Sequence, residues 1–340
     1  MATYYVDPAA GGNDDGTSWT DAWTTLQRAI DGTNGTQPVA GDLIYCRGTE
    51  TLSATIDVDG NSGNNSSGYI RFIGCNASGD VDGTRYVVDG NSAATYCLNC
   101  VVEFISFQNF EFTGATSHGV FQDNSGADTF YFGSCYVHTN GGAGFYNNAD
   151  ATDGAYFNCI ITNNTNQGIY RCHFDTLILN SIYRNGDNGL DGASADGCLA
   201  IYNAIADNGD GDINFTFDKN WTIMNNVIDG TGQSSETGLE SEGSGESTLI
   251  ANRITNHVTG YNNNNDVNIY GFNLFHNNTS DVINTSGLFS AFNGADLDTN
   301  EYDPDVDDGY NNAGSLDYNL KASRTYNGDG TDTVGLGIGS

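Results

Sequence analysis

Apolar and polar positions along the middle of the chain recur with a period near 23 residues. Segments 107–111, 132–136, 157–161, 179–183, 201–205, 224–228, 250–254 and 271–275 line up, and their third residues are spaced by 25, 25, 22, 22, 23, 26 and 21 residues. Two apolar columns frame the alignment. Phe107, Phe132, Phe157, Leu179, Ile201, Met224 and Ile250 take the first position; Tyr136, Ile161, Tyr183, Ile205, Ile228, Ile254 and Phe275 take the last. Asn109, Ser134, Cys159, Ser181, Asn203, Asn226, Asn252 and Asn273 run between them. Period-two apolar residues over so few positions predict short strands rather than helices. Four residues further on stand Thr113, His138, Asn163, Asn185, Asp207, Gly230, Asn256 and Asn277. That column predicts a turn tolerant of left-handed backbone, with stacked Asn amides bonding from coil to coil and His138 replacing one of them.

Each repeat closes with Gly or Asp before an apolar residue, as in Gly119-Val120, Gly144-Phe145, Gly168-Ile169, Gly189-Leu190, Asp212-Ile213, Gly238-Leu239 and Gly260-Tyr261. A repeat therefore holds about three short strands, and none buries its own apolar face, so repeats must stack. The predicted fold class is all-β: a parallel β-helix, a solenoid whose coils rise ~4.8 Å each. A leucine-rich repeat needs a Leu framework that is absent, and a propeller blade needs ~40 residues. The ends differ from the middle. Residues 20–30 read as a helix with Trp23, Leu26, Ala29 and Ile30 on one face, capped by Thr20 or Asp21. The expected organisation is an N-terminal cap over 1–45, the β-helix over 46–284, and a C-terminal cap or oligomerisation segment over 285–340.

Composition narrows the partners. Ten Lys+Arg face 43 Asp+Glu, for a net charge of −33, and the only lysines are Lys219 and Lys321. Phosphate neutralisation needs clustered cations, so nucleic acid and anionic membrane surfaces are poor partners. No stretch approaches the ~18 apolar residues of a membrane span. The 17 Phe and 19 Tyr are too many for a disordered chain. The eight cysteines sit mostly in apolar stretches and read as small buried hydrophobes. Cys97-Leu98-Asn99-Cys100 is a lone pair without a second one or a His partner, too little for a zinc site.

Several segments carry a resemblance. Tyr4-Tyr5-Val6-Asp7, Asn13-Asp14-Asp15-Gly16-Thr17-Ser18-Trp19, Trp23 through Ile30 and Gly41-Asp42-Leu43-Ile44-Tyr45 resemble the opening of right-handed parallel β-helix proteins of the pectate-lyase-like superfamily. Asp317-Tyr318-Asn319-Leu320-Lys321-Ala322-Ser323 resembles the closing segment, although Arg324-Thr325-Tyr326 stands where Pro-Ala-Ile commonly follows. The superfamily includes lyases, glycoside hydrolases and phage tailspikes. Its lyases resemble one another in using Lys or Arg as base, often beside calcium. Here Lys219 has no matching Arg one coil away, and the hydrolase signatures Asn-Thr-Asp, Gly-His-Gly and Arg-Ile-Lys are absent.

What remains is a row on the closing strand. If Val120, Phe145, Ile169, Leu190, Ile213 and Leu239 point in, then Phe121, Tyr146, Tyr170, Asp191, Asn214 and Glu240 point out. Asp212 is expected outside beside them. Aromatic rings and paired carboxylates are the working parts of glycosidases, which makes Asp191, Asp212 and Glu240 candidate catalytic residues and Tyr146, Tyr170 and Asn214 candidate carbohydrate contacts. Asp191 and Glu240 stand ~10 Å apart along the axis. The bland alternative is a solvated surface, since any outward row of so acidic a chain collects carboxylates. Ca2+ is the candidate ion, at Asp303, Asp305 and Asp307, whose oxygens alternate without the Gly and Glu of an EF-hand. Asp57-Val58-Asp59-Gly60-Asn61 is a shorter candidate.

The leading expectation is a phage virion-surface protein (a spike, fibre or capsid-attached decoration) contacting surface polysaccharide, associated with itself as a homo-oligomer such as a trimer, or with other virion proteins. Met1 is followed by Ala2-Thr3-Tyr4-Tyr5-Val6-Asp7, without a basic or apolar leader, so lysis would supply the exit. The alternative is a glycoside hydrolase acting on a neutral polysaccharide; a polysaccharide lyase ranks below both.

Overall fold

The computed structural model describes residues 1–290, 301–302, 310–312 and 317–320, apart from 124–128, 149–152, 193–196, 217–219, 232–236, 243–245, 265–266, 272 and 284–287. The chain divides into two compact units, Met1–Asn166 and Gln167–Ser340. Each is built from the same coil: three short strands, each paired in parallel with its counterparts in neighbouring coils.

In the first unit the first ladder runs through Thr3–Val6, Leu43–Cys46, Ile70–Gly74, Ile105–Gln108, Phe130–Gly133 and Ala155–Phe157. The second holds Thr49–Thr51, Tyr86–Asp89, Phe110–Thr113, Tyr136–His138 and Ile160–Thr162; the third holds Ile56–Val58, Leu98–Cys100, Val120–Gln122 and Phe145–Asn147. Parallel pairing thus begins at Thr3, inside the segment expected to be only a cap. The helix is shorter than the sequence predicts, Leu26–Asp31. Thr25 is its N-cap, accepting from Arg28 N, and Gly32 ends it at φ 65. Asp21, expected to cap it, instead accepts from Asn13 N and Ser18 Oγ, while Trp23 bridges to Val6.

In the second unit the first ladder runs through Thr176–Ile178, Leu199–Ile201, Thr222–Met224, Glu246–Ile250, Val267–Gly271 and Leu288–Ser290. The second holds Ser181–Tyr183, Ala204–Ala206, Val227–Asp229, Arg253–Thr255, Leu274–His276 and Glu301–Tyr302. The third holds Ile169–Tyr170, Leu190–Asp191, Gly211–Thr216, Thr237–Glu242, Thr259–Asn264 and Ser280–Ile283.

Register decides which side chains build the core. The second ladder buries Ile182, Ile205, Ile228, Ile254 and Phe275, much as the sequence predicts, but Val137 and Ile182 take the places expected for Tyr136 and Tyr183. After Phe132 the first ladder is out of the predicted register, by one residue at Phe157, Ile201, Met224 and Ile250 and by two at Leu179. Tyr156, Leu177, Ala200, Ile223 and Leu249 are buried, whereas Phe157, Ile201, Met224 and Ile250 turn outward. The cause is the bend between first and second ladders. Asn158, Leu179, Tyr202, Asn225 and Ala251 sit there at φ between 53 and 60, and this left-handed residue breaks the period-two alternation.

Directly after that bend, Asn180, Asn203, Asn226, Asn252 and Asn273 are fully buried. Each Nδ2 donates to the next Oδ1 at 3.0–3.1 Å and, from Asn203 onward, to a first-ladder carbonyl. A second amide ladder follows the second strand, with Asn140 and Asn164 in the first unit and Asn185 and Asn208 in the second. His138 is not part of it. Its ring lies outside, 4.0 Å from the Tyr136 ring centroid and 3.2 Å from Glu111 Oε1. All eight cysteines are buried free thiols.

Candidate functional site

The third ladder of the second unit carries the outward row in the predicted register. Ile169, Leu190, Ile213, Leu239 and Tyr261 are buried, and Tyr170, Asp191, Asn214, Glu240 and Asn262 pair rung by rung beside them. Alternation along a strand puts these five on the opposite face. Asp191 and Glu240 are two rungs apart, ~10 Å, with Asn214 between. Asp191 is 8% exposed. The Gln167 amide spans two carboxylates there, donating to Asp187 Oδ2 at 2.6 Å and to Asp191 Oδ2 at 3.4 Å. Glu240 is half-buried, and its Oε1 accepts from Asn262 Nδ2 at 2.8 Å and Asn264 Nδ2 at 3.4 Å. The Arg171 guanidinium lies 5.5 Å from the Tyr170 ring centroid. Gln167, Asp187, Asn262 and Asn264 were not singled out from the sequence; only their spacing from the carboxylates could have marked them.

Asp212 does not join this row. It stands where neighbouring coils carry Gly189 and Gly238, and a Cβ on those glycines would point at Asn208 Nδ2 and His257 Nδ1. The Asp212 side chain takes that inward direction and is 2% exposed. Its Oδ1 accepts from Asn208 Nδ2 at 2.8 Å, and its Oδ2 lies 2.9 Å from His257 Nε2. The physical reason is a break in the second amide ladder. Thr231 stands where an Asn would sit between Asn208 and His257, and Thr231 bonds Asp229 instead. Asp212 spans the break, so its carboxylate belongs to the interior.

A second polar cluster went unnoticed in the sequence. Asp229 ends a second-ladder strand and is 0% exposed. Its Oδ1 accepts from Thr231 Oγ1 at 2.9 Å, Thr255 Oγ1 at 3.0 Å and Asn256 Nδ2 at 2.6 Å, while Oδ2 is buried with no hydrogen bond among the described residues. Burial pushes the carboxyl up, against those three donors and nearby His257.

In the first unit, Tyr146 faces outward beside Phe121, but the ring faces turn on one another. Tyr96 and Phe121 stack at 4.5 Å and 16°, and Tyr146 lies 4.3 Å from His118 and 5.3 Å from Phe121. His118 Nδ1 accepts from Ala143 N at 3.0 Å, and burial brings its pKa down to about 4, so the ring is neutral near pH 7 with its proton on Nε2. Of the expected calcium ligands, Asp303, Asp305 and Asp307 lie outside the described residues. Asp57 is in strand Ile56–Val58, with Oδ1 accepting from Asn99 Nδ2 at 2.9 Å.

No protein-family model matches the chain, and no curated protein is similar to it in sequence. Solved structures are similar in fold. Pectate lyase Pel9A superposes with a TM-score of 0.65 at 17% identity, over 99% of this chain and 88% of that one. A rhamnogalacturonan lyase gives 0.54 at 12%, over 98% and 96%. The GH136 lacto-N-biosidase from Eubacterium ramulus gives 0.55 at 11%, over 89% and 68%. With the parallel ladders of both units, these likenesses establish the fold as a right-handed parallel β-helix.

Proposed function

We propose that this chain binds a neutral polysaccharide along the row Tyr170–Asp191–Asn214–Glu240–Asn262 and hydrolyses it with Asp191 and Glu240. One observation carries the reading: two carboxylates share an outward face two rungs apart, with only Asn214 between them. Inverting glycosidases leave ~6.5–9.5 Å between their carboxyls for a water molecule, and rotation of the Asp and Glu side chains brings ~10 Å rungs into that range. Glu240, held by two Asn amides, is the base that draws a proton from the water. Asp191 is the acid that protonates the leaving oxygen. Neighbours that are lyases and a biosidase by name support a carbohydrate-directed role. The charge of −33 repels acidic glycans, which leaves neutral ones as substrate.

The test is release of new reducing ends from a panel of neutral and acidic polysaccharides. Glu240→Gln and Asp191→Asn should each lower the rate by at least ~100-fold, while Asp212→Asn, altered in the interior, should leave the chemistry intact. Full activity in the first two variants would overturn the assignment. A second proposal, favoured by the acidic, lysine-poor surface, places the protein on a phage particle as a homo-oligomer. Absence of its band from purified particles on a gel would remove that placement without touching the chemistry.

A further inference from the structure

A buried column fills the corner between third and first ladders of the second unit: Asp175, Cys198, Trp221 and Ser247. Backbone bonds fix its rungs, with Leu199 N donating to Asp175 O at 2.9 Å, Thr222 N to Cys198 O at 2.8 Å and Thr248 N to Trp221 O at 2.7 Å. Asp175 is the only carboxyl of that column. It follows a tight turn in which Phe174 sits at φ 53 and His173 N donates to Asp175 Oδ2 at 3.2 Å. The turn begins with Cys172, also buried. The two Sγ atoms and a carboxylate oxygen of Cys172, Cys198 and Asp175 lie within 4.8 Å of one another. His173, inside the same turn, has a buried Nδ1 with no hydrogen bond among the described residues.

We propose that Cys172, Asp175 and Cys198 bind one Zn2+ ion. Two thiolates and a carboxylate are a borderline-soft donor set that suits zinc, whose tetrahedron a fourth, small ligand completes. Calcium asks for six to eight oxygens and is excluded by the sulfurs. On binding, two Zn–S bonds form, the two thiol protons leave to solvent, and no electron changes hands. All three ligands are buried, so no substrate reaches the ion and the site is structural rather than catalytic. It also bears on the glycan row: Arg171 N and Cys172 N both donate to Asp191 O, at 2.6 and 3.3 Å. The ion would therefore lock the turn that holds the Asp191 strand.

The experiment is titration of the reduced, full-length protein with Co2+ and then Zn2+. One equivalent of Co2+ should give a sulfur-to-cobalt charge-transfer band and the intense visible bands of a tetrahedral site, and Zn2+ should displace it. Cys198→Ser and Cys172→Ser should lose the charge-transfer band, and Asp175→Asn, the least intrusive change, should weaken zinc affinity at least ~10-fold. Zinc should raise the melting temperature of the wild type and leave that of Cys198→Ser unchanged. Absence of a thiolate band in the wild type would overturn the site. So would a band surviving in Cys198→Ser, or a Cys172–Cys198 disulfide, seen as the loss of two hydrogens by mass, that persists in place of metal uptake.

Discussion

Asn226 is the sharpest place to test what holds the coils together. Its side chain makes every hydrogen bond an amide can make. Oδ1 accepts from Asn203 N at 2.8 Å and Asn203 Nδ2 at 3.0 Å; Nδ2 donates to Ala200 O at 2.8 Å and Asn252 Oδ1 at 3.1 Å. Asn226→Ala leaves two buried donors of Asn203 without an acceptor. Asn252 Oδ1 keeps its bond from Asn226 N, so the acceptor side suffers less. At ~1–3 kcal/mol per orphaned buried donor, less ~1 kcal/mol of side-chain ordering no longer required, the loss should be about 1–5 kcal/mol, centred near 3. Asn225→Ala is the control. Asn225 occupies the left-handed bend at φ 55, where the next coil already carries Ala251 at φ 56. That substitution should cost only ~1 kcal/mol of backbone preference. Urea unfolding reads both as shifts of the midpoint at constant slope. Equal costs for the two variants would refute the amide ladder as the source of coil-to-coil stability.

Register can be checked with one pair of substitutions: Ile228→Asp buries an unpaired charge and should unfold the protein, whereas Ile201→Asp, on the outward side of its strand, should leave it folded and protease-resistant. Asp229 should make a pH signature of definite sign. Its folded pKa is raised above the ordinary 3.8, so the stability it contributes is present below that value and lost as pH climbs through the raised one. Unfolding free energies of the wild type and Asp229→Asn should therefore diverge in favour of Asn as pH rises from about 3.8, and a constant difference would contradict the reading. The thiols should be inert in the native state, because burial pushes Cys75 up to about 11 and Cys97 up to about 12. Alkylation at neutral pH, followed by mass spectrometry, should label them only in denaturant, and rapid native labelling would refute their burial.

The third ladder was legible in the sequence because Gly or Asp before one apolar residue marks each strand start, and a single alternation then sorts inside from outside. The first ladder was less so. Its true inward residues Ala200, Ile223 and Leu249 are each followed by an outward apolar residue, Ile201, Met224 or Ile250. The left-handed residue at the bend spaces inward positions three apart, so a period-two template selects the wrong member of each pair. Asp212 was misplaced for a related reason. Its column is otherwise glycine, which has no Cβ and so gives no direction. Only the fold shows that a side chain there meets the amide ladder. That ladder separates two kinds of polar residue that look alike in sequence. Asn203, Asn226 and Asn252 bond one another in the first amide ladder, and Asn208, Asp212 and His257 do so in the second, inside the coil where no glycan reaches. Asp191 and Glu240 take amide donors from neighbouring side chains, yet stand on the outward face of their strands. Of the three carboxylates that composition and pattern offered for catalysis, the geometry leaves these two.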